Sequence, residues 1–383
     1  MQFPAKHSFT GTTIFTVMSA LAQQHNAINL SQGFPDFPID EQLAGFLAEA
    51  AAGGYNQYAP MAGLPMLREA IAGDFMKRYG IPLNPDTEIT ITPGATYGIY
   101  TAFTAILEPG DEVILFEPSY DSYIPNIEMN GAVPVPIPLT APHFSVDWDK
   151  VRAAINTRTK AIILNTPHNP TGAIWSANDW ETLAGLVKDT GIFILSDEVY
   201  EQLVYDGEKH ISILQYPELR DRTFALYSFG KVFNNTGWKM GYCVAPPANT
   251  LAFRRIHQFL SFTVNTPAQY ALARHLASGN ATPVGALMEQ KRDYFLGLLR
   301  DTPFTVYQPA KGSYFQVVGY ERISNLPDHE FAEWLTREYG VATIPVSAFY
   351  HNRKDDRVIR FCFAKKEETL QQAINRLSQL KSK

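Results

Sequence analysis

A chain of 383 residues, 45% of them hydrophobic, has more apolar material than one core usually takes up, so one large and one smaller domain is the expectation. Its 32 basic and 38 acidic side chains leave a formal charge of -6, which argues against a surface built to neutralise a nucleic-acid backbone or an anionic membrane. Two cysteines, Cys243 and Cys362, exclude a disulfide framework and a thiolate metal centre; with no apolar signal stretch or membrane-length run, the expectation is a cytoplasmic protein without a metal.

Residues 1–40 carry no regular series of elements. From about residue 85 short apolar runs end in Gly, Pro, Asn or Asp: TEITIT (87–92), DEVILF (111–116), AVPVPI (132–137), AIILN (161–165), IFILSD (192–197), TFALYS (223–228) and GYCVA (241–245). These read as strands, and their nearly continuous hydrophobicity suits a sheet covered on both faces. Pro134 and Pro136 argue against a central position for the third run. Helical patterns lie between the runs: 97–107 after the first, and 176–191 between the fourth and fifth, opening on Ser176 with Asp179 three positions on and closing at Gly191. Strands alternating with helices predict an α/β fold with a mainly parallel sheet in a large domain at 41–280. Beyond it, an amphipathic stretch at 287–301, the run GSYFQVVGY, the helix HEFAEWLTREYG, the strand VIRFCFA (358–364) and a helix at 367–380 predict a smaller α+β domain from 1–40 and 281–383.

Ligands of such sheets gather beyond the carboxyl ends of the strands, so polar residues ending the runs come first. Asp197 closes an apolar strand, where a carboxylate needs a partner; it either faces a cationic ring nitrogen or caps the next turn. Lys231 follows TFALYS in a glycine-containing segment, as a nucleophilic amine near buried cations or as a solvated surface lysine. Lys239 is a second cation there. Gly94, Ala95 and Thr96 lie between a strand and a helix, where backbone amides and a hydroxyl can receive phosphate together with Ser228. Asn165 and Asn169 bracket a stiff turn in NTPHNPTG and offer amides to a phenolic oxygen. Arg360, inside VIRFCFA, either lies on the solvent face of a terminal strand or, if buried, requires an internal salt bridge or a carboxylate ligand held in two bonds. With 19 tyrosines in the chain, composition alone assigns no role to Tyr58, Tyr97, Tyr120 or Tyr200.

In this order and spacing, SQGFPDFP, YAPMAGLPMLREA, NTPHNPTG, SDEVY, SFGKVFNNTGWKMG and VIRFCFA resemble the fold-type I class I/II aminotransferases over essentially the whole chain. The branch they resemble contains the kynurenine/glutamine and bacterial methionine aminotransferases. The resemblance implies a pyridoxal 5'-phosphate enzyme with a seven-stranded, mainly parallel large domain and a small domain made from both termini. It matches Lys231 to the Schiff-base lysine and proton-moving base, and Asp197 to the partner of the pyridine nitrogen. Tyr200 and Asn169 match the donors to the phenolic oxygen and Tyr120 the ring that stacks on the cofactor. Gly94, Ala95, Thr96, Ser228 and Lys239 match the phosphate cup. Tyr58 matches a tyrosine reaching the phosphate in the neighbouring subunit, which implies a homodimer with shared active sites. Arg360, Gly33 and Asn165 match the substrate carboxylate site. Lys239 stands where the aspartate aminotransferase branch has arginine, and no second arginine for a dicarboxylate is found.

Phe15, Phe34, Tyr58, Phe262 and Phe349 are the candidates for a side-chain pocket, which points to an amino-acid donor that is hydrophobic or aromatic, methionine first, and to a 2-oxo acid acceptor. A cysteine-S-conjugate β-lyase would use the same residues. A non-catalytic pyridoxal-phosphate-binding regulator would need a DNA-binding module in addition, and a plain nucleotide-binding or structural α/β protein leaves the ordered motifs unexplained.

Overall fold

The computed structural model describes residues 11–279, 281 and 284–383; the first ten residues of the expected small-domain segment, and Asn280 at its boundary, lie outside them. In chain order the strands are β1 (Ile28–Asn29), β2 (Ile89–Thr92), β3 (Glu112–Glu117), β4 (Val133–Pro138), β5 (Thr159–Asn165), β6 (Phe193–Asp197), β7 (Thr223–Ser228), β8 (Gly241–Val244), β9 (Phe315–Gly319), β10 (Val341–Ala342), β11 (Ile344–Pro345) and β12 (Val358–Cys362). Seven of them form one sheet in the order β2-β8-β7-β6-β5-β3-β4. Only β8 runs against its neighbours; the other pairings are parallel. The seven sequence runs are these seven strands.

Both faces of this sheet are covered, which is why the runs do not alternate. Ile114, Ile162 and Leu164 point into one core, while Val113, Leu115, Ala161 and Ile163 point into the other. The helix Ala177–Val187 packs on the first face through Trp180, Leu183 and Val187. Its first turn is closed by the Ser176–Asp179 capping box that the sequence suggests.

The prolines of β4 have a simple place. β4 is the sheet's edge, and the amides of Val133 and Leu139 donate inward to Asp111 and Glu117. Residues of the opposite parity, Pro134, Pro136 and Pro138, therefore face outward, where a ladder needs no N–H.

A second, three-stranded antiparallel sheet has the order β11-β12-β9, and β1 pairs with β10, joining the amino-terminal stretch to the carboxyl-terminal one. Its core gathers Leu30, Phe295, Val318, Phe331, Ile359, Phe361 and Leu370. Among the described residues no helix is long and apolar enough to cross a membrane, and no group of His, Cys, Asp and Glu is arranged to hold a metal.

Candidate active site

Because β5, β6 and β7 are parallel neighbours, their carboxyl ends lie along one edge. Asn165 is level with Asp197, and Asp197 with Leu226. The antiparallel β8 begins where these strands end, so Gly241 is in register with both Ser228 and Thr92. Lys239, two residues before Gly241, is delivered to the same edge in a left-handed conformation. Gly94, at φ 83°, turns the chain after β2 into the helix Ala95–Ile106, and no side chain caps that helix's first amides.

A cavity of about 280 Å³ opens over this edge. It is lined by Gly94, Ala95, Thr96, Tyr120, Asn165, Asn169, Asp197, Tyr200, Ser228, Lys231 and Lys239 from the large sheet and its loops. Arg360, Phe315, Gly33, Gln32 and Phe15 close it from the smaller sheet and the amino-terminal segment.

Asp197 is buried and accepts from the Tyr123 hydroxyl at 2.5 Å and the Val199 amide at 3.3 Å. Burial outweighs these bonds and the attraction of Lys231, pushing its carboxyl up to about 6. This carboxylate is under-compensated in the protein alone and would ionise fully beside a cation. Burial likewise drives the Lys231 amine down to about 8, with Lys239 and Arg360 pushing the same way and Cys362 and Asp197 opposing. Its Nζ donates to the Tyr314 hydroxyl at 2.8 Å and reaches the Gly33 carbonyl at 3.4 Å.

Arg360 has no exposed surface. Nη1 donates to Asn169 Oδ1 at 2.8 Å and Nη2 to the Ser31 carbonyl at 2.7 Å, while Nε has no partner. The guanidinium lies 3.8 Å from the centre of the Phe315 ring and pairs with no carboxylate among the described residues, so the internal salt bridge does not form. Burial lowers its pKa to about 10. Gly33 sits against the same ring; a Cβ there would come within 2.7 Å of Phe315.

Other expected residues are placed differently. Asn165 binds the chain, donating to the Asp197 carbonyl at 2.8 Å and accepting from the Asn169 amide at 2.7 Å. Phe349 is buried behind the cavity, against Phe15 and Arg360. Phe34 lies under the Lys365 ammonium. Tyr58 and Phe262 meet each other edge to face at 5.6 Å on the surface. None of these four lines the cavity of the single chain. Tyr314, Tyr123, Gln32 and Phe315 are the site residues that sequence reasoning did not find.

This constellation on a mainly parallel seven-stranded sheet is that of a cofactor-binding transferase, and the comparisons agree. Residues 25–377 match the family model for aminotransferase class I and II; the chain belongs to that family and is a pyridoxal-phosphate-dependent aminotransferase with amino-acid and 2-oxo-acid substrates. It is 48% identical over 372 residues to the methionine aminotransferase of Escherichia coli, covering 97% of this chain and 96% of that one. A solved E. coli structure, described as identifying a methionine aminotransferase function, superimposes with a TM-score of 0.96 at 47% identity, over 99% of this chain and all of that one. The N-succinyldiaminopimelate aminotransferase of Mycobacterium tuberculosis superimposes with a TM-score of 0.93 at 38% identity, over 97% of this chain and 98% of that one.

Proposed function

We propose that the protein acts in the cytoplasm as a homodimer and transfers the amino group of methionine, or of another hydrophobic or aromatic L-amino acid, to a 2-oxo acid. The observation that carries this reading is Arg360: a guanidinium with no exposed surface and, among the described residues, no carboxylate partner and a free Nε, at the wall of a cavity that also holds Lys231 and Asp197. A substrate α-carboxylate is the ligand that satisfies it. The aromatic walls, Phe15, Phe315 and Tyr120, favour an uncharged side chain.

Bound pyridoxal phosphate supplies an aldehyde that condenses with amines and a ring that takes up electrons. The residues present fit it. Gly94, Ala95, Thr96, Ser228 and Lys239 would surround its phosphate, with the uncapped helix amides as donors. Asp197, short of a counter-charge, would hold a proton on the ring nitrogen. Tyr200 and Asn169 would donate to the phenolic oxygen; Asn169 has Oδ1 engaged by Arg360 and its amide protons to offer. Tyr120, in the cavity wall, would stack on the ring. Lys231 carries the cofactor, and its Nζ, once released, takes the substrate α-proton. Arg360, with Gly33 beside it, would hold the carboxylate and so orient the substrate toward Nζ.

The division into 41–280 and the terminal segments 1–40 and 281–383 belongs to this reading, supported by the β1–β10 pairing. The homodimer is supported by an exposed apolar group. Phe259 is 85% exposed, with Leu260 and Phe262 beside it in the chain, and Tyr58, 82% exposed, packs on Phe262, a patch suited to burial against a second copy.

The test is a single turnover of cofactor-loaded protein with L-methionine and no acceptor. Stoichiometric 2-oxo acid from the parent and none from Lys231→Ala is expected. No oxo acid from methionine sinks it as donor, elimination from a cysteine S-conjugate in place of transfer makes the protein a β-lyase, and failure to bind pyridoxal phosphate overturns the whole reading.

A further inference from the structure

We propose that Tyr314 is a positioning residue for Lys231, its hydroxyl being the seat that holds the lysine amine whenever that amine is not joined to the cofactor. The inference rests on Lys231 being the reactive amine, and it adds a residue to which no role has been given.

Tyr314 is 1% exposed and stands immediately before β9. Its carbonyl accepts the Phe363 amide, and its ring is held edge-on between Tyr200, at 5.2 Å, and Phe315, at 4.9 Å. A ring packed in this way leaves the hydroxyl one position. That hydroxyl has a single proton, and the Gly33 carbonyl at 2.6 Å takes it. A lone pair is left facing Lys231 Nζ at 2.8 Å. Among the described residues the amine's other hydrogen bond is to the same Gly33 carbonyl, at 3.4 Å, so without the hydroxyl a buried amine would keep one long bond.

Two consequences follow. The amine is aimed by a residue of the smaller sheet although it grows from the end of the larger one, so its direction is set from outside its own loop. The hydroxyl also ties the amine to Gly33, beside the carboxylate-facing Arg360, so the base and the loop under the substrate move as one unit.

The charged and titratable groups facing Nζ are Asp197, Lys239, Arg360, Cys362 and Tyr200, besides Tyr314. Burial raises the Cys362 thiol. Of these, the Tyr314 oxygen is the one that accepts a bond from the ammonium, so removing it disfavours the charged amine.

The experiment uses Tyr314→Phe, which keeps the ring. In cofactor-free protein, competitive acetylation of Lys231 read by peptide mass spectrometry against pH should give a midpoint lower than the parent's by about 0.5 pH or more. In loaded protein, kcat for a 2-oxo-acid-forming turnover should fall about 10-fold with KM changing less, and the isotope effect of α-deuterated substrate should rise because proton transfer has become slower. Pyridoxal phosphate affinity should stay near that of the parent. An unchanged acetylation midpoint together with an unchanged isotope effect overturns the proposal. If Tyr314→Phe does not fold, 3-fluorotyrosine at position 314 weakens the acceptor without altering the packing; it should move the midpoint the same way by less, and no movement overturns the proposal. A parent that fails to transaminate would defeat the proposed function while the acetylation arm still reads the contact.

Discussion

The two sheets supply the cavity in opposite ways. The large sheet presents residues from beyond or at its strand ends: Asn165 and Asp197 as the last residues of β5 and β6, Ser228 as the last of β7, Lys239 just before β8. The small sheet presents residues from within or against its strands: Arg360 in the middle of β12, Phe315 opening β9 and Tyr314 one position earlier. Strand ends can be polar where the chain turns out of the sheet and loop amides come within reach, as the Val199 amide does for Asp197, although burial still weighs on that carboxylate. A charge in the middle of a strand with no exposed surface must be given partners, and Arg360 is left one short. The large sheet thus arranges the reactive groups, while the small one keeps an unsatisfied donor and a pinned hydroxyl for what comes between.

That contrast can be broken at either sheet. Asp197→Asn removes the charge at the end of β6 without changing its shape, and kcat should fall by about 10²–10⁴ with much less change in the KM of the amino acid. The same variant should strengthen the ligand-free fold. The folded carboxyl, at about 6, binds its proton more tightly than an unfolded one, so its ionisation weakens the fold progressively from about pH 4 to 6 and fully above that. Denaturant melts of cofactor-free parent and variant at pH 5 and pH 8 check this: the variant's advantage should be larger at pH 8.

Arg360→Leu, on the small sheet, should cost about 10²–10³ in kcat/KM, chiefly through KM, with the cofactor spectrum of the loaded protein unchanged. A variant that instead loses the cofactor would erase the division between the sheets. Smaller is the pH effect on the ligand-free amine. Since Lys231 is protonated below about 8 and only the neutral amine attacks an aldehyde, capture of pyridoxal phosphate by cofactor-free protein should speed up about 10-fold between pH 7 and 9 and then level off. Stopped-flow absorbance measures it. The smallest effect belongs far from either strand-end array. Ser176→Ala, which removes a helix cap on the large sheet's flank, should lower stability by about 1 kcal/mol and leave turnover alone.

The same contrast explains what the sequence reveals. The seven runs of the large sheet are legible because burial on both faces makes them apolar and their ends polar, and the α/β architecture follows; the observed bounds differ by a residue or two at most of the ends. Asp197, Lys231 and Asn169 stand out for that reason. Tyr314 in GSYFQVVGY looks like any core aromatic, and its use depends on Gly33 and Lys231, 281 and 83 positions away. Tyr123 is likewise given meaning only by Asp197, 74 positions on. Phe34, Phe262 and Phe349 stand out in the sequence by apolar character, which does not encode direction: one lies under a lysine, one on the surface, one behind the cavity wall. Asn165 shows the converse, since its side chain ties β5 to β6.

The outward row of Pro134, Pro136 and Pro138 has a bearing on the protein's life in a crowded solution. An exposed strand edge normally offers alternating donors and acceptors to any other chain that can lie beside it, and sheets grow into aggregates by that route. Here every second residue that would offer a donor is a proline, so an arriving strand finds carbonyls but no matching N–H groups. The molecule can carry a long parallel sheet to its very border and still refuse to be extended by a stranger.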